Sequence, residues 1–242
     1  MPEGPSLIIV KENISPFIGN KIIAAKGYAD IDYSLLEQKK ITAIQTWGKH
    51  LFICLKDINI EIHLRMFGSY LINERKPKIN AKLSLQFAKE ELNFYVVDVK
   101  LIKDISIYDK GADVMSEEWN SAKAVKKLRE IPDVKICDAL LDQQIFSGVG
   151  NIIKNEVLWL VKLHPETTIK NISASKFKKL MTEVVDYSFE FLQYKKEGTL
   201  SKHWKTYNQK SCSRCKHKIV KLYIGKGKRA TYICENCQRL KK

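Results

Sequence analysis

Long apolar runs are missing from this chain of 242 residues. The longest extend over about five residues, as from Val157 to Val161, against the ~20 that a membrane-spanning helix needs. That excludes a transmembrane helix and removes the membrane from the expected partners. Glycine and proline are sparse, at 11 and 6 residues, and no internal repeat or low-complexity tract occurs outside a basic C-terminus. With 45% hydrophobic and 29% charged residues, the composition excludes a fibrous, collagenous or wholly disordered protein. A secretory leader is not expected either, because the start is acidic and turn-like and the apolar stretch Leu7 to Val10 is too short. The expected compartment is a cytoplasm of bacterial type.

Acidic residues are nearly absent from one region. Residues 201–242 contain only Glu235 against 13 Lys and Arg, so they carry +12 of the formal net charge of +15. So concentrated a basic field points to a polyanion, since each cation that meets a phosphate releases condensed counterions. A solvated, solubilising tail is the alternative.

Cysteines number six. Cys212, Cys215, Cys234 and Cys237 form a C-x2-C-x18-C-x2-C pattern in which two turns each offer two thiolates, the spacing of a tetrahedral zinc site. Paired disulfides fit a reducing compartment poorly, and a redox dithiol would not need two motifs. One structural Zn²⁺ is therefore expected, with no coordination position left for catalysis. Between the pairs, Ile219 to Ile224 and Ala230 to Ile233 read as strands around a Gly225–Arg229 turn, a hairpin with Arg229 at its tip. Arg229 there either reaches a groove or is an ordinary solvated turn residue. Cys54 and Cys137 stand in apolar surroundings and read as packing thiols.

Along the chain, Leu7, Val10, Ile14 and Phe17 mark one face of a leading helix over 5–17. Stretches 21–29, 41–56, 58–72, 82–88 and 92–99 read as strands with one buried face, Ile58 to Met66 alternating with Asn59, Glu61, His63 and Arg65. They predict an antiparallel sandwich or flattened barrel. Helices follow over 119–131, 137–143, 150–163 and 173–196. The expected class is α+β: residues 1–115 an antiparallel β-sandwich with a leading helix, 116–205 helical, and 206–242 a zinc hairpin.

Three motifs occur in order: Pro2-Glu3-Gly4-Pro5, Gly148-Val149-Gly150-Asn151, and Arg229-Ala230-Thr231 inside the cysteine hairpin. Jointly they resemble the formamidopyrimidine-DNA glycosylase/endonuclease VIII family over the whole chain. The resemblance implies a monomeric, bifunctional DNA glycosylase and abasic-site lyase of base excision repair. It would bind damaged double-stranded DNA in a basic cleft between domains, in association with the nucleoid. Removal of Met1 would expose Pro2 as a secondary amine. An α-amino group with a pKa near ~7.7–8 is partly neutral at cellular pH and can attack a sugar C1′, and a secondary amine yields an iminium that needs no further protonation to act as an electron sink. The resemblance also implies that Glu3 exchanges protons with the sugar, and that Lys49 contacts the phosphate near the departing base. By the same resemblance, residues 148–151 belong to a helix-two-turns-helix motif, with Glu156 and His164-Pro165 in matching places. Gly148 and Gly150 would admit a phosphate to backbone N–H groups, Asn151 would add a side-chain donor, and Arg229 would grip the backbone. Met66 is either the wedge that fills the vacancy left by a flipped nucleotide or a core residue in phase with Ile58 to Leu64. His63 reads as structural.

Three departures from the family pattern bear on the lesion. Ser6 stands where both main branches carry glutamate. Asp98-Val99-Lys100-Leu101-Ile102-Lys103 lacks the Arg-Arg-Phe stretch of the purine-directed branch, and Gly198–Ser211 is too short for that branch's lesion-covering loop. The resemblance therefore inclines to an endonuclease VIII-like enzyme for oxidised pyrimidines. A purine-directed glycosylase and a non-catalytic zinc-containing DNA-binding protein are the rivals.

Overall fold

The computed structural model describes residues 2–240, so the expected removal of Met1 concerns a residue outside the described ones. Contacts divide the chain into two compact units, Met1–Tyr108 and Asp109–Lys242.

In the first unit, α1 (Gly4–Ile14) begins with Pro5 in its first turn, where a missing N–H costs nothing, and continues into a 3-10 turn at Ser15–Phe17. Leu7, Val10, Ile14 and Phe17 all enter the core, as their spacing requires. The strands are β1 (Ala24–Gly27), β2 (Ala43–Trp47), β3 (His50–Cys54), β4 (Asn59–Ile72), β5 (Leu83–Gln86) and β6 (Glu91–Ile102). All pair antiparallel in one continuous ladder of order β1-β5-β6-β4-β3-β2. The antiparallel β architecture with a leading helix is thus the one expected. One expected strand, 41–56, is in fact two, β2 and β3, folded back at a Gly48-Lys49 turn that leaves Trp47 opposite His50.

One face of this sheet packs Ile60, Ile62, Leu64, Leu83, Leu85, Leu92, Phe94, Val97 and Val99 against α1. The other face is not simply solvent, as the alternation on β4 suggested. Asn59 and Glu61 are buried, and Trp47, Phe52 and Cys54 form a small second cluster against Ile105 and Tyr108. The segment after β6 folds back over polar side chains that strand periodicity assigns to water.

Cys54 is buried there, and Cys137 is buried in the second unit, so both are packing thiols.

The second unit contains α2 (Ser121–Arg129), α3 (Ile136–Ala139), α4 (Asn151–Leu160), α5 (Ala174–Lys196) and the hairpin β7 (Val220–Ile224) with β8 (Arg229–Ile233). Asn120 and Ser173 cap α2 and α5 by accepting the N–H of Lys123 and Lys176. The helix expected over 137–143 is only the single turn of α3. Its continuation is broken by Gln143, whose side chain donates to the carbonyls of Leu141 (2.8 Å) and Val149 (3.1 Å) and accepts from Gly148 N–H (3.2 Å). Side-chain amides compete with helical hydrogen bonds in this way. No helix among the described residues is long and apolar enough to cross a membrane.

Candidate nucleic-acid interface and active site

Pro2 and Glu3 lead into α1. Glu3 is the N-cap residue, its N–H donates to Ser6 Oγ at 3.4 Å, and its carbonyl accepts from Ser6 N–H at 2.8 Å. Ser6 therefore serves the helix start, where a short hydroxyl reaches back to the cap. Glu3 is fully buried while Pro2 is half-buried. A carboxylate sequestered from water suits proton exchange, because low dielectric strengthens its coupling to nearby charge. Helix α1 packs on β2 and β3, the two strands that the Gly48-Lys49 turn joins. Pro2, Glu3 and Lys49 thus belong to the same unit, with the helix that follows Glu3 packed on the two strands that the Lys49 turn joins.

Behind Lys49 lies a group of residues that sequence reasoning left unused. His50 Nδ1 donates to Glu61 Oε1 at 2.7 Å, and the Tyr108 hydroxyl bonds the same buried carboxylate; burial first, and the carboxylate second, push the phenol up to about 12. His63 lies opposite His50 in the β3–β4 register, its ring 5.0 Å away, and bonds the Lys49 carbonyl. Of these, His50, Glu61 and His63 line a cavity of about 530 Å³ that also takes in Arg65, Asp98 and Lys100. The signal in the sequence was Glu61 between Ile60 and Ile62, indistinguishable there from an ordinary outward position.

Burial holds both imidazoles below their usual pKa, and Glu61 only partly opposes this at His50. Below the unfolded value near 6.5, the unfolded state binds more protons than the folded one. The stability contributed by neutral His50 and His63 is therefore complete above that pH and declines as pH falls towards their folded pKa values. We expect imidazole NMR titrations with midpoints below 6.5 for both rings, and a matching loss of stability on acidification. Midpoints at or above 6.5 would contradict the burial argument.

Met66 is 55% and Phe67 78% exposed, which removes the core reading of Met66. The ladder slips between Leu64 and Ser69, ending the alternation that would have turned Met66 inward. Gly68 permits the slip: a Cβ there would stand 2.8 Å from Arg65 N and 2.9 Å from Val96 O.

In the second unit Gly148 has φ 95°, a conformation open to glycine, and the chain turns there into α4 at Asn151. Asn151 Nδ2 donates to the Ala230 carbonyl at 2.9 Å, while its buried Oδ1 has no hydrogen-bond partner among the described residues. The Gly148–Asn151 turn and the Arg229-Ala230-Thr231 strand, some 80 residues apart in sequence, are therefore joined directly. Arg229 is not at the hairpin tip as expected. It is the first residue of β8, opposite Ile224 and half-buried, and Gly225 to Lys228 form the tip.

The polar face of α4 fixes this junction. Asn155 Oδ1 accepts Tyr232 N–H at 2.7 Å, Lys154 Nζ donates to Thr231 Oγ1 at 2.9 Å, and Glu156 accepts the N–H groups of Lys205, Thr206 and Tyr207 at 2.8, 2.9 and 2.6 Å. All three side chains are buried. Burial raises the Glu156 pKa, and the three backbone donors oppose the shift.

Cys212, Cys215, Cys234 and Cys237 bring their sulfurs within 4.8 Å of one another. Individual separations of 3.4 to 3.9 Å compare with the edge of about 3.8 Å for a tetrahedron with Zn–S bonds of ~2.3 Å. The four thiols fit a metal ion. Trp159 of α4 donates Nε1–H to Cys212 Sγ at 3.2 Å, and the Arg214 guanidinium lies 3.9 Å from its ring, so the cluster is tied to the same helix.

Family models described as the formamidopyrimidine-DNA glycosylase N-terminal domain and H2TH domain match residues 1–102 and 111–202. The chain belongs to the formamidopyrimidine-DNA glycosylase/endonuclease VIII family. Endonuclease 8-like 3 of Mus musculus is 32% identical over 208 residues, which are 82% of this chain and 34% of that protein. The chain thus spans about a third of the length of such relatives. A formamidopyrimidine-DNA glycosylase of Mycoplasmopsis pulmonis is 27% identical over all of this chain and 99% of its own. Among solved structures, the Lactococcus lactis formamidopyrimidine-DNA glycosylase bound to DNA containing an abasic site superposes with a TM-score of 0.88. It has 26% identity and covers 98% of this chain and all of that one. Within this family the expected β domain, helix-two-turns-helix region and cysteine hairpin take their places.

Proposed function

We propose that this protein is a DNA glycosylase with abasic-site lyase activity that removes oxidised bases, pyrimidines in preference, from duplex DNA. The observation that carries the reading is a fully buried Glu3 directly after Pro2, on a helix packed against the strands of the Lys49 turn. With Met1 removed, the Pro2 nitrogen attacks C1′ and the base departs. Glu3 exchanges the protons this requires with the sugar ring oxygen and the intermediate. The resulting iminium withdraws electrons as the 3′ and then the 5′ phosphate leaves. Lys49 stabilises the phosphate charge, and exposed Met66 fills the space of the extruded nucleotide.

Asn151 and Arg229 take backbone phosphates on the surface where the α4 turn meets β8. Cys212, Cys215, Cys234 and Cys237 would hold one Zn²⁺ as a structural clamp, four thiolates leaving no open position for catalysis. Replacing Arg229 by Ala is expected to weaken binding to all duplexes and to lower the slope of log K against log salt by about 1. An unchanged slope would place Arg229 off the backbone.

The pyrimidine preference is supported by the missing Arg-Arg-Phe stretch and by residues 198–211, which are short and anchored through Glu156 rather than free to cover a base. Borohydride trapping of Met1-processed protein on duplexes with thymine glycol or 8-oxoguanine, with mass mapping, tests the whole reading. Lesion-dependent adducts at Pro2, stronger with thymine glycol, are expected. A stronger adduct with 8-oxoguanine would reverse the lesion assignment. No adduct on these or on an abasic duplex, with binding intact, would replace the enzyme by a damaged-DNA-binding protein.

A further inference from the structure

The four cysteines gather at the base of the β7–β8 hairpin and α4 bonds its second strand, but the tip is met from another element. Lys226 N–H, inside the Gly225–Lys228 turn, donates to Asp138 Oδ1 at 2.9 Å across 88 residues of sequence. Asp138 belongs to the single turn of α3, which is itself tied down. Ile136 N–H donates to the Thr167 carbonyl at 2.9 Å, and Cys137 N–H to that of Pro165 at 3.1 Å. At Gly225, where φ is 77°, a Cβ would stand 2.3 Å from Asp138 Oδ1 and 3.0 Å from its Cγ. Any other residue there would push the carboxylate aside.

Arg229 lies one step from that turn. Lys228 N–H closes the turn on the Gly225 carbonyl at 3.1 Å, and Ile224 pairs with Arg229 as the last rung of the ladder. Ile224 packs on the helical core and so steadies the rung from the β7 side. The Asp138 bond steadies the turn that leads from Ile224 into Arg229. A two-stranded sheet is marginal by itself, so its end has to be held from outside. The choice of an acid for this task runs against the charge of the segment. Residues 201–242 carry +12, and Asp138 sets a carboxylate against the turn that holds Lys226 and Lys228, where negative charge repels phosphate.

We propose that Asp138 is a positioning residue for Arg229, its carboxylate oxygen fixing the hairpin tip so that the guanidinium is held ready for a backbone phosphate. The inference rests on the reading of Arg229 as a phosphate ligand. Asp138 acts through the Lys226 amide and not by touching DNA. Its charge and its acceptor then work in opposite directions: the charge weakens duplex binding by repulsion, whereas the acceptor strengthens it by ordering the tip before DNA arrives.

Asp138→Ala and Asp138→Asn separate the two. Both remove the charge, and only Asn keeps an oxygen for the Lys226 N–H. Electrostatics by itself predicts tighter binding in both variants. We expect instead that Asp138→Ala weakens binding to all duplexes roughly tenfold at about 0.1 M salt and lowers the slope of log K against log salt by about 1, the signature of one lost phosphate contact. Asp138→Asn should bind at least as tightly as wild type with an unchanged slope. The double variant Asp138→Ala/Arg229→Ala should be no weaker than Arg229→Ala, since both changes remove the same contact. Amide hydrogen exchange gives the local readout: fast at Lys226 in the Ala variant and slow in the Asn variant, with α4 protected in both. Wild-type affinity in Asp138→Ala while Arg229→Ala lowers the slope would overturn the proposal alone. So would additive losses in the double variant, or Asp138→Asn as weak as Asp138→Ala. An unchanged slope in Arg229→Ala would strike the phosphate reading itself, and the proposal with it.

Discussion

Replacing Glu3 by Gln is expected to lower the rate of base release by about 10² to 10⁴, the usual range for a positioned acid/base, while duplex affinity stays within twofold, roughly the span of a surface change. The substitution keeps the volume of a side chain with no exposed surface, so the fold has little reason to respond. What disappears is a group able to gain and lose a proton directly after Pro2. Single-turnover cleavage of a thymine glycol duplex, together with equilibrium binding, separates the two effects. A variant that releases base at the wild-type rate would show that Glu3 only starts the helix. Its N–H to Ser6 Oγ contact would persist in the variant, because it uses the backbone and not the carboxylate.

The second large effect concerns the cysteine cluster. Strands β7 and β8 form a two-stranded sheet, which is marginal by itself in water. Structural zinc contributes about 10–16 kcal/mol of apparent binding energy in small zinc-finger peptides, so removing it from a hairpin of this size should unfold the hairpin. The consequence reaches α4, because Lys154, Asn155 and Glu156 would lose their bonds to Thr231, Tyr232 and the 205–207 backbone. A bond lost from a buried group of this kind costs about 1–3 kcal/mol. Chelation, or Cys212→Ser, should therefore abolish DNA binding and hydrogen-exchange protection in both the hairpin and α4. Demonstrably metal-free protein with α4 still protected and DNA still bound would remove the metal from the account.

Much of the molecule was legible in the chain itself. Leading-helix spacing, strand alternation and the C-x2-C pairs each follow from periodicity or ligand geometry, which act over a few residues. The residues that misled did so for a common reason. Glu61 and Asn59 occupy positions that alternation assigns to water, yet both are buried. Local pattern records which residues could face a solvent, and it holds no information about a distant segment that covers them. At Met66 the alternation misleads in the opposite sense, pointing an exposed side chain inward, since the ladder slips where Gly68 meets the Val96 carbonyl of the neighbouring strand.

The sequence by itself determined the family, the metal-ligating cysteines, the Pro2-Glu3 start and the concentration of positive charge near the C-terminus. These are properties of residue type and spacing, and no folding is needed to read them. Tertiary structure alone decided that Asn151 meets Ala230, that Arg229 begins a strand instead of capping a turn, and that Ser84 and Asn93 are buried opposite one another. Each depends on segments far apart in the chain coming within hydrogen-bonding distance. Such contacts form only when the apolar faces that the sequence does specify have already packed, and the polar groups then satisfy one another wherever that packing has left them.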